Sequence, residues 1–223
     1  MKAMILSAGR GERLRPLTDH TPKPLLKAGK YRLIEYLIQS LVKAGFTEIV
    51  INTAHLGEQF PKTLGDGSQF DAKITYSPEQ QGGLETAGGI INALALLGDE
   101  PFLIVNGDIW TDFPFEQLTN FTLSPDTFAH LVLVNNPEHN LQGDFALNLG
   151  RVNQTEQQRY TYSGIAIYHP KLFSGFKVHR LALKLVLLQA IEQQQISGQL
   201  YQGQWSDIGT VERLQQLNAQ LET

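Results

Sequence analysis

The sequence predicts an α/β fold: a doubly wound, mostly parallel sheet with a small antiparallel insertion and C-terminal helices. Three observations carry that expectation. Apolar strands alternate with helical stretches through the first half of the chain. Those strands are apolar without alternation, as when helices cover both faces of a sheet. Glycine-rich or acidic turns follow two of them directly, at the carboxyl edge where such sheets bind ligands.

Taken in order, Ala3 to Leu6 is the first strand, and it runs straight into Ser7-Ala8-Gly9-Arg10-Gly11. Leu33, Ile34, Leu37, Ile38, Leu41 and Val42 recur at helical spacing, with Gly45 placed to end the helix. Glu48 to Thr53 reads as a buried strand. A short helix near 57–64, a strand over 73–76 and a helix over 87–97 follow. Phe102 to Val105 is again apolar and ends in Asn106-Gly107-Asp108. After Leu118 the rhythm changes. Strands over 130–134, 143–152 and 161–168 read as antiparallel, with polar turns between them. A helix covers 183–194. The last helix starts after Gly209 with Thr210 as its cap and buries Val211, Leu214, Leu217 and Leu221.

At 223 residues, 42% of them apolar, the chain reads as one domain spanning 1–223, with a first half over 1–118 and a second over 119–223. The net charge of -4 has no basic stripe, so a nucleic acid polymer is not an expected partner. No cysteine is present, which excludes disulfides and thiolate chemistry and suits a reducing cytoplasm. The apolar opening of Met4 to Leu6 is too short for a signal core or a membrane span.

The opening turn has the composition of an anion cradle. Gly9 and Gly11 let backbone N–H groups approach a ligand, and Arg13 and Lys23 supply charge beside it. It lacks the Gly-Lys-Ser/Thr ending of a Walker loop and the third glycine of a dinucleotide fingerprint. Asp108 and Asp207 are candidate carboxylates for a divalent cation, with a turn or cap as the alternative for each. Gly88 and Gly89, in Glu85-Thr86-Ala87-Gly88-Gly89, weaken the helix they open unless something approaches closely, such as a base or ribose. Gln80, Gln81, Gly82 and Gly83 form a polar approach to it, with solvated loop as the alternative. Asp144 suits sugar hydroxyls or a turn. The six histidines lack the spacing of zinc ligands, and Ser7 lacks a nucleophile elbow.

Residues 6–18 with Pro22-Lys23-Pro24-Leu25, then Glu85 to Gly89, Asn106-Gly107-Asp108 and Trp205-Ser206-Asp207-Ile208-Gly209-Thr210, resemble in order the motifs of the sugar-1-phosphate nucleotidyltransferases. The resemblance implies a Rossmann-like fold of the nucleotide-diphospho-sugar transferase type, whose antiparallel insertion holds the sugar. It implies Ala8, Gly9, Gly11, Glu12, Arg13, Lys23, Gln80, Gly83 and Gly88 around the nucleotide. Glu85, Asn106, Asp144 and Gly164 would face the sugar, Asp108 and Asp207 would bind Mg2+, and Arg13, Lys23 and Asp108 would carry catalysis. The compact length, Leu84-Glu85-Thr86 and Gly143-Asp144-Phe145 resemble the members that transfer a uridylyl group from UTP to N-acetylmuramate 1-phosphate in cell-wall recycling. A relative acting on mannose or glucose 1-phosphate is the alternative, and a catalytically silent nucleotide sensor is a weaker one. The lack of room for a β-helical extension favours a monomer. A substrate with a lactyl carboxylate would call for a cation, for which Arg151, Arg159 and Arg180 are candidates. Two departures stand out: Ser7 replaces a smaller residue, and Lys27 to Arg32 replaces a proline-containing stretch.

Overall fold

The computed structural model describes residues 1–80 and 82–221. In chain order the strands of the first half are β1 (Ala3–Leu6), β2 (Lys27–Ala28), β3 (Tyr31–Arg32), β4 (Glu48–Thr53), β5 (Lys73–Pro78), β6 (Phe102–Asn106) and β7 (Ile109–Thr111). Those of the second half are β8 (Ala129–Val134), β9 (Phe145–Asn148), β10 (Arg151–Asn153), β11 (Arg159–Tyr168), β12 (Ile196–Tyr201) and β13 (Trp205–Asp207). The helices are α1 (Leu33–Lys43), α2 (Gln59–Leu64), α3 (Glu85–Leu97), α4 (Glu116–Thr119), α5 (Leu183–Glu192) and α6 (Val211–Leu221). None of them is long and apolar enough to cross a membrane.

Nine strands form one sheet in the order β5-β4-β1-β6-β11-β8-β12-β10-β9. The first four are mutually parallel, as the apolar runs and crossover helices predict. From β6 onward the sheet becomes mixed. β11 runs antiparallel to both β6 and β8, β12 runs parallel to β8, and β9 closes back on the start of β11. Parallel pairing is therefore confined largely to the first half, and the expected insertion continues the main sheet. The cause is connectivity, because β9, β10 and β11 follow one another without a crossover helix.

Local chemistry accounts for most element ends. Beyond Lys43, Phe46 N–H donates to Leu41 O and Gly45 N–H to Val42 O, both at 2.9 Å, with Gly45 at φ 91°. That double closure is the Schellman ending, and it explains the glycine. The expected strand over 143–152 is in fact a hairpin. Leu149 and Gly150 both take positive φ, so the chain reverses and Asn148 pairs with Arg151. The doubtful stretch 27–32 forms a two-stranded ribbon, β2–β3, tied to α6 by a 2.6 Å bond from Gly29 N–H to Asn218 Oδ1. Thr210 caps α6 as expected, its Oγ accepting from Arg213 N–H at 3.3 Å.

Two apolar cores lie on either side of the sheet. One joins α3 and α5 to Met4, Phe102, Ile104 and Leu131, and the other joins α1 and α2 to Ile5, Ile51, Leu103 and Val105. A smaller cluster docks α6 through Leu214 and Leu217 onto Leu14 and Ile208.

His130, on β8, is buried with its ring nitrogens beside Ser197 Oγ and Gln199 Oε1. Burial holds its pKa below the ordinary 6.5. The unfolded chain therefore binds a proton more readily than the native one, so stability falls as pH drops below about 6.5 and levels off beneath the native pKa. Urea midpoints measured from pH 8 to pH 5 should show this decline, and His130→Gln should flatten part of it. A wild-type curve superimposable on that of His130→Gln would refute this role.

Candidate active site

Two cavities open side by side at the carboxyl end of the parallel strands. The first, of about 310 Å³, is lined by the opening loop from Leu6 to Arg10, by Lys23 and Pro24, and by Asn52, Glu79, Gly82, Gly83, Asn106 and Asp108. The second, of about 400 Å³, is lined by Asp144, Phe145, Tyr162, Ala182, Leu183, Lys184 and Leu187. Glu85, Thr86 and Asn106 line both, so the two cavities form a single cleft with a shared wall.

In the first cavity the loop is shaped by tight turns. Gly11 takes φ 69°, and a Cβ there would meet Thr18 Cγ2 at 2.9 Å and Lys23 Cβ at 3.2 Å, so glycine lets the loop fold over Lys23. Lys23 is only 8% exposed, and its Nζ donates to Asp108 Oδ2 at 2.5 Å. A buried ammonium needs such a partner. Arg10 is braced by Thr18 O and Asp19 Oδ1, both at 2.7 Å. The paired cation holds the partly exposed Asp19 carboxyl below its ordinary pKa, chiefly through the Arg10 hydrogen bond.

A chain of hydrogen bonds, absent from the sequence-based expectations, fixes the cavity floor. Asn52 Oδ1 accepts from Ser7 N–H at 2.7 Å, and Asn52 Nδ2 donates to Glu79 Oε1 at 2.6 Å. Glu79 Oε2 in turn accepts from Leu84 N–H at 2.7 Å. Asn52 and Glu79 stand at or just past the ends of β4 and β5, the position where this architecture collects ligand-facing groups, and that was the usable signal. Ser7 Oγ is buried on the same wall without a hydrogen-bond partner among the described residues.

Asp108 and Asp207 are brought together by the β7–β13 ribbon. Asp207 pairs with Ile109, and Ile208 N–H donates to Asp108 O at 2.7 Å. Asp207 also bonds His139 Nε2 at 2.8 Å and forms an ion pair with Arg213. No group of three or more acidic or histidine side chains closes on one point among the described residues. The ribbon sets the two residues side by side through their backbone, but Asp207 lines neither cavity, and its carboxylate is held by Arg213 and His139 while that of Asp108 is held by Lys23. Carboxylate oxygens are the donors that a hard divalent cation takes.

The other predicted residues divide. Ala8, Gly9, Lys23, Gly83, Glu85, Asn106, Asp108 and Asp144 line the cleft. Gly11, Glu12 and Gln80 flank it without lining it. Gln81 falls outside the described residues. Arg13 is exposed, and its guanidinium lies against Gly209, where a Cβ would be 2.9 Å from Arg13 Nη2 and 3.1 Å from Asp207 Oδ2. Gly88 is buried within α3, and the close neighbour that requires glycine there is the His179 carbonyl rather than a base. Gly89 similarly makes room for Glu79 and for Asn52, whose Nδ2 a Cβ would meet at 2.9 Å. Gly164 lies under the site at a bulge in β11, where Asn106 packs on it. Asp144 Oδ2 accepts from Tyr162 N–H at 2.9 Å and from Asn140 Nδ2 at 3.3 Å.

Comparison with known proteins agrees with this geometry. Over 98% of this chain and 97% of its counterpart, the sequence is 51% identical to N-acetylmuramate alpha-1-phosphate uridylyltransferase of Neisseria meningitidis serogroup B. It is 29% identical to mannose-1-phosphate guanyltransferase beta-A of Xenopus laevis, across 94% of this chain and 61% of that protein. The fold matches HddC of Yersinia pseudotuberculosis complexed with GMP-PN, with a TM-score of 0.80, 18% identity and 98% of both chains covered. It also matches the inositol-1-phosphate CTP transferase of T. maritima, with a TM-score of 0.77, 20% identity and coverage of 99% and 96%. Residues 2–145 match the Nucleotidyl transferase family itself, and with a near-full-length relative at 51% identity this chain belongs to that family.

Proposed function

We propose that this enzyme transfers a uridylyl group from UTP to N-acetyl-α-D-muramate 1-phosphate, giving UDP-N-acetylmuramate and pyrophosphate. The observation that carries the reading is the wall of Glu85, Thr86 and Asn106 shared by the two cavities. It allows a nucleotide on the Lys23 side and a sugar phosphate on the Asp144 side to meet end to end. The identity of the sugar and the base draws support from the relative of Neisseria meningitidis.

A phosphate monoester oxygen is already a nucleophile, so no general base is required. It bonds to the α-phosphorus as the bond to the bridging oxygen of pyrophosphate breaks, and the electron pair leaves with pyrophosphate. The protein must hold two anions together and balance the charge that shifts between them. In this reading Ala8 and Gly9 present backbone to the triphosphate, and Gly83 closes over the nucleoside. Lys23 supplies a fixed cation, Asp144 orients the sugar through its hydroxyls, and Asn106 spans both substrates. Asp108 and Asp207 would hold Mg2+, which supplies countercharge to the phosphates when bound. Arg13, whose guanidinium lies beside Gly209, would add a further cation for the phosphates.

The same reading takes 1–223 as one catalytic domain, with the nucleotide half over 1–118 and the sugar half over 119–223 joined in one sheet. It takes the enzyme as a cytoplasmic monomer. A pyrophosphate-release screen with Mg2+ tests it, crossing the common nucleoside triphosphates with muramate, glucosamine, glucose and mannose 1-phosphates. UTP with the N-acetylmuramate sugar should give the highest kcat/KM. Activity restricted to GTP with mannose 1-phosphate would replace this reading with that of a guanylyltransferase.

A further inference from the structure

Glu85 is held in a conformation that its side chain must justify. It is the first residue of α3 and takes φ 57°, a left-handed backbone that glycine adopts freely and a residue with a Cβ adopts at a cost. Its carboxylate does one visible thing: Oε1 accepts from Arg180 Nε at 2.9 Å. Arg180 forms no other hydrogen bond or ion pair among the described residues, so its two terminal nitrogens remain as donors at the rim of the shared wall. Lys184, on the wall of the second cavity, has no hydrogen-bond or ion-pair partner among the described residues. The rest of that wall is largely apolar, with Phe145, Tyr162, Ala182, Leu183 and Leu187, which strengthens any charge pairing made there. Of the two acids lining it, Glu85 is paired with Arg180 and Asp144 is engaged by Tyr162 N–H and Asn140.

The two other arginines considered as anion receptors are used elsewhere. Arg151 donates to Gln194 O at 3.0 Å and to Thr127 Oγ1 at 3.3 Å, and Arg159 donates to Gln154 O at 3.0 Å. Neither lines the cavity nor bonds through its side chain to a residue that does, whereas Arg180, itself outside the lining, is bonded to Glu85, which lines it.

We propose that Arg180, positioned by Glu85, and Lys184 together receive a carboxylate on the acceptor sugar and so select an acidic hexosamine 1-phosphate over its neutral counterpart. The proposal rests on the reading of the reaction given above and adds the groups that read the sugar. N-acetylmuramate differs from N-acetylglucosamine by an ether-linked lactyl carboxylate, which is the feature that Lys184 and the two remaining nitrogens of the Glu85-paired Arg180 can recognise. Arginine offers a planar fork and lysine a mobile point charge, a pairing suited to a carboxylate on a rotatable arm. Glu85 is then a positioning residue that acts through Arg180.

The test is steady-state pyrophosphate release with saturating UTP, comparing N-acetylmuramate 1-phosphate with N-acetylglucosamine 1-phosphate. Wild type, Arg180→Ala, Lys184→Ala, the double variant and Glu85→Gln are measured. Both cations are on the surface, so their removal leaves the core intact. The ratio of kcat/KM values, acidic sugar over neutral, should fall at least about tenfold in the double variant, the loss expected for a charge-assisted contact. The change should appear in KM for the acidic sugar, with kcat held within about twofold. Glu85→Gln should move the ratio in the same direction by a smaller amount. A double variant that keeps the wild-type ratio, or loses both substrates in parallel, overturns the proposal. A wild type that ignores the muramate sugar altogether refutes the underlying reading instead, so the two failures are distinct.

Discussion

Asp108→Asn and Lys23→Ala should each lower turnover by about 10²-fold or more while leaving the fold in place, since loss of one preorganised electrostatic group costs on that scale. The two side chains are a pair, Lys23 Nζ donating to Asp108 Oδ2 at 2.5 Å on the wall of the first cavity. Asparagine keeps the size of Asp108 and still offers an oxygen to the ammonium, so Lys23 is not stranded. It removes the negative charge that both the lysine and a divalent cation require. In Lys23→Ala the remaining carboxylate is 37% exposed and can turn to water, which limits the stability cost. The measurement is kcat at saturating UTP and sugar phosphate with excess Mg2+, alongside a thermal melt. Turnover within about tenfold of wild type in either variant would remove that residue from the catalytic set.

Gly164→Ala should cost both stability and activity. Gly164 takes φ 80°, and an added Cβ would lie 2.5 Å from Asn106 Cγ and Nδ2. Left-handed strain costs roughly 1–3 kcal/mol. Overpacking a filled site costs a similar amount, about 1–3 kcal/mol. A combined loss of about 2–6 kcal/mol is expected in urea unfolding at constant m-value. Asn106 must also move, and because it lines both cavities the variant should lose kcat/KM for both substrates. An unchanged unfolding midpoint would show that β11 relaxes around the methyl group. The proposed role of Gly164 would then change from support of Asn106 to none.

Legibility in the sequence followed the range of the interaction. Strands β1, β4 and β6 were recoverable because a strand covered on both faces is apolar throughout. The Schellman ending at Gly45 and the cap at Thr210 were recoverable because each is made within a few residues. β12 was missed because Ile196 to Tyr201 shows only a weak alternation and takes its identity from pairing with β8. The glycines of α3 were read as admitting a base or ribose, and the atoms that need the space are the protein's own. The neighbour they admit, a loop carbonyl for Gly88 and the Glu79–Asn52 pair for Gly89, comes from distant parts of the chain.

The expectation of a phosphate site came from residue type and local turn chemistry in the opening loop, Lys23, Asp108 and Asp207, and the order of these motifs carried the family. Whether the two aspartates meet depended on the β7–β13 ribbon, which joins segments some hundred residues apart. The same holds for Asn52 with Glu79 and for Arg180 with Glu85. Periodicity, caps and glycine turns are short-range physics, written into neighbouring residues. A binding site is a set of long-range contacts, made only after the sheet has brought its strand ends together.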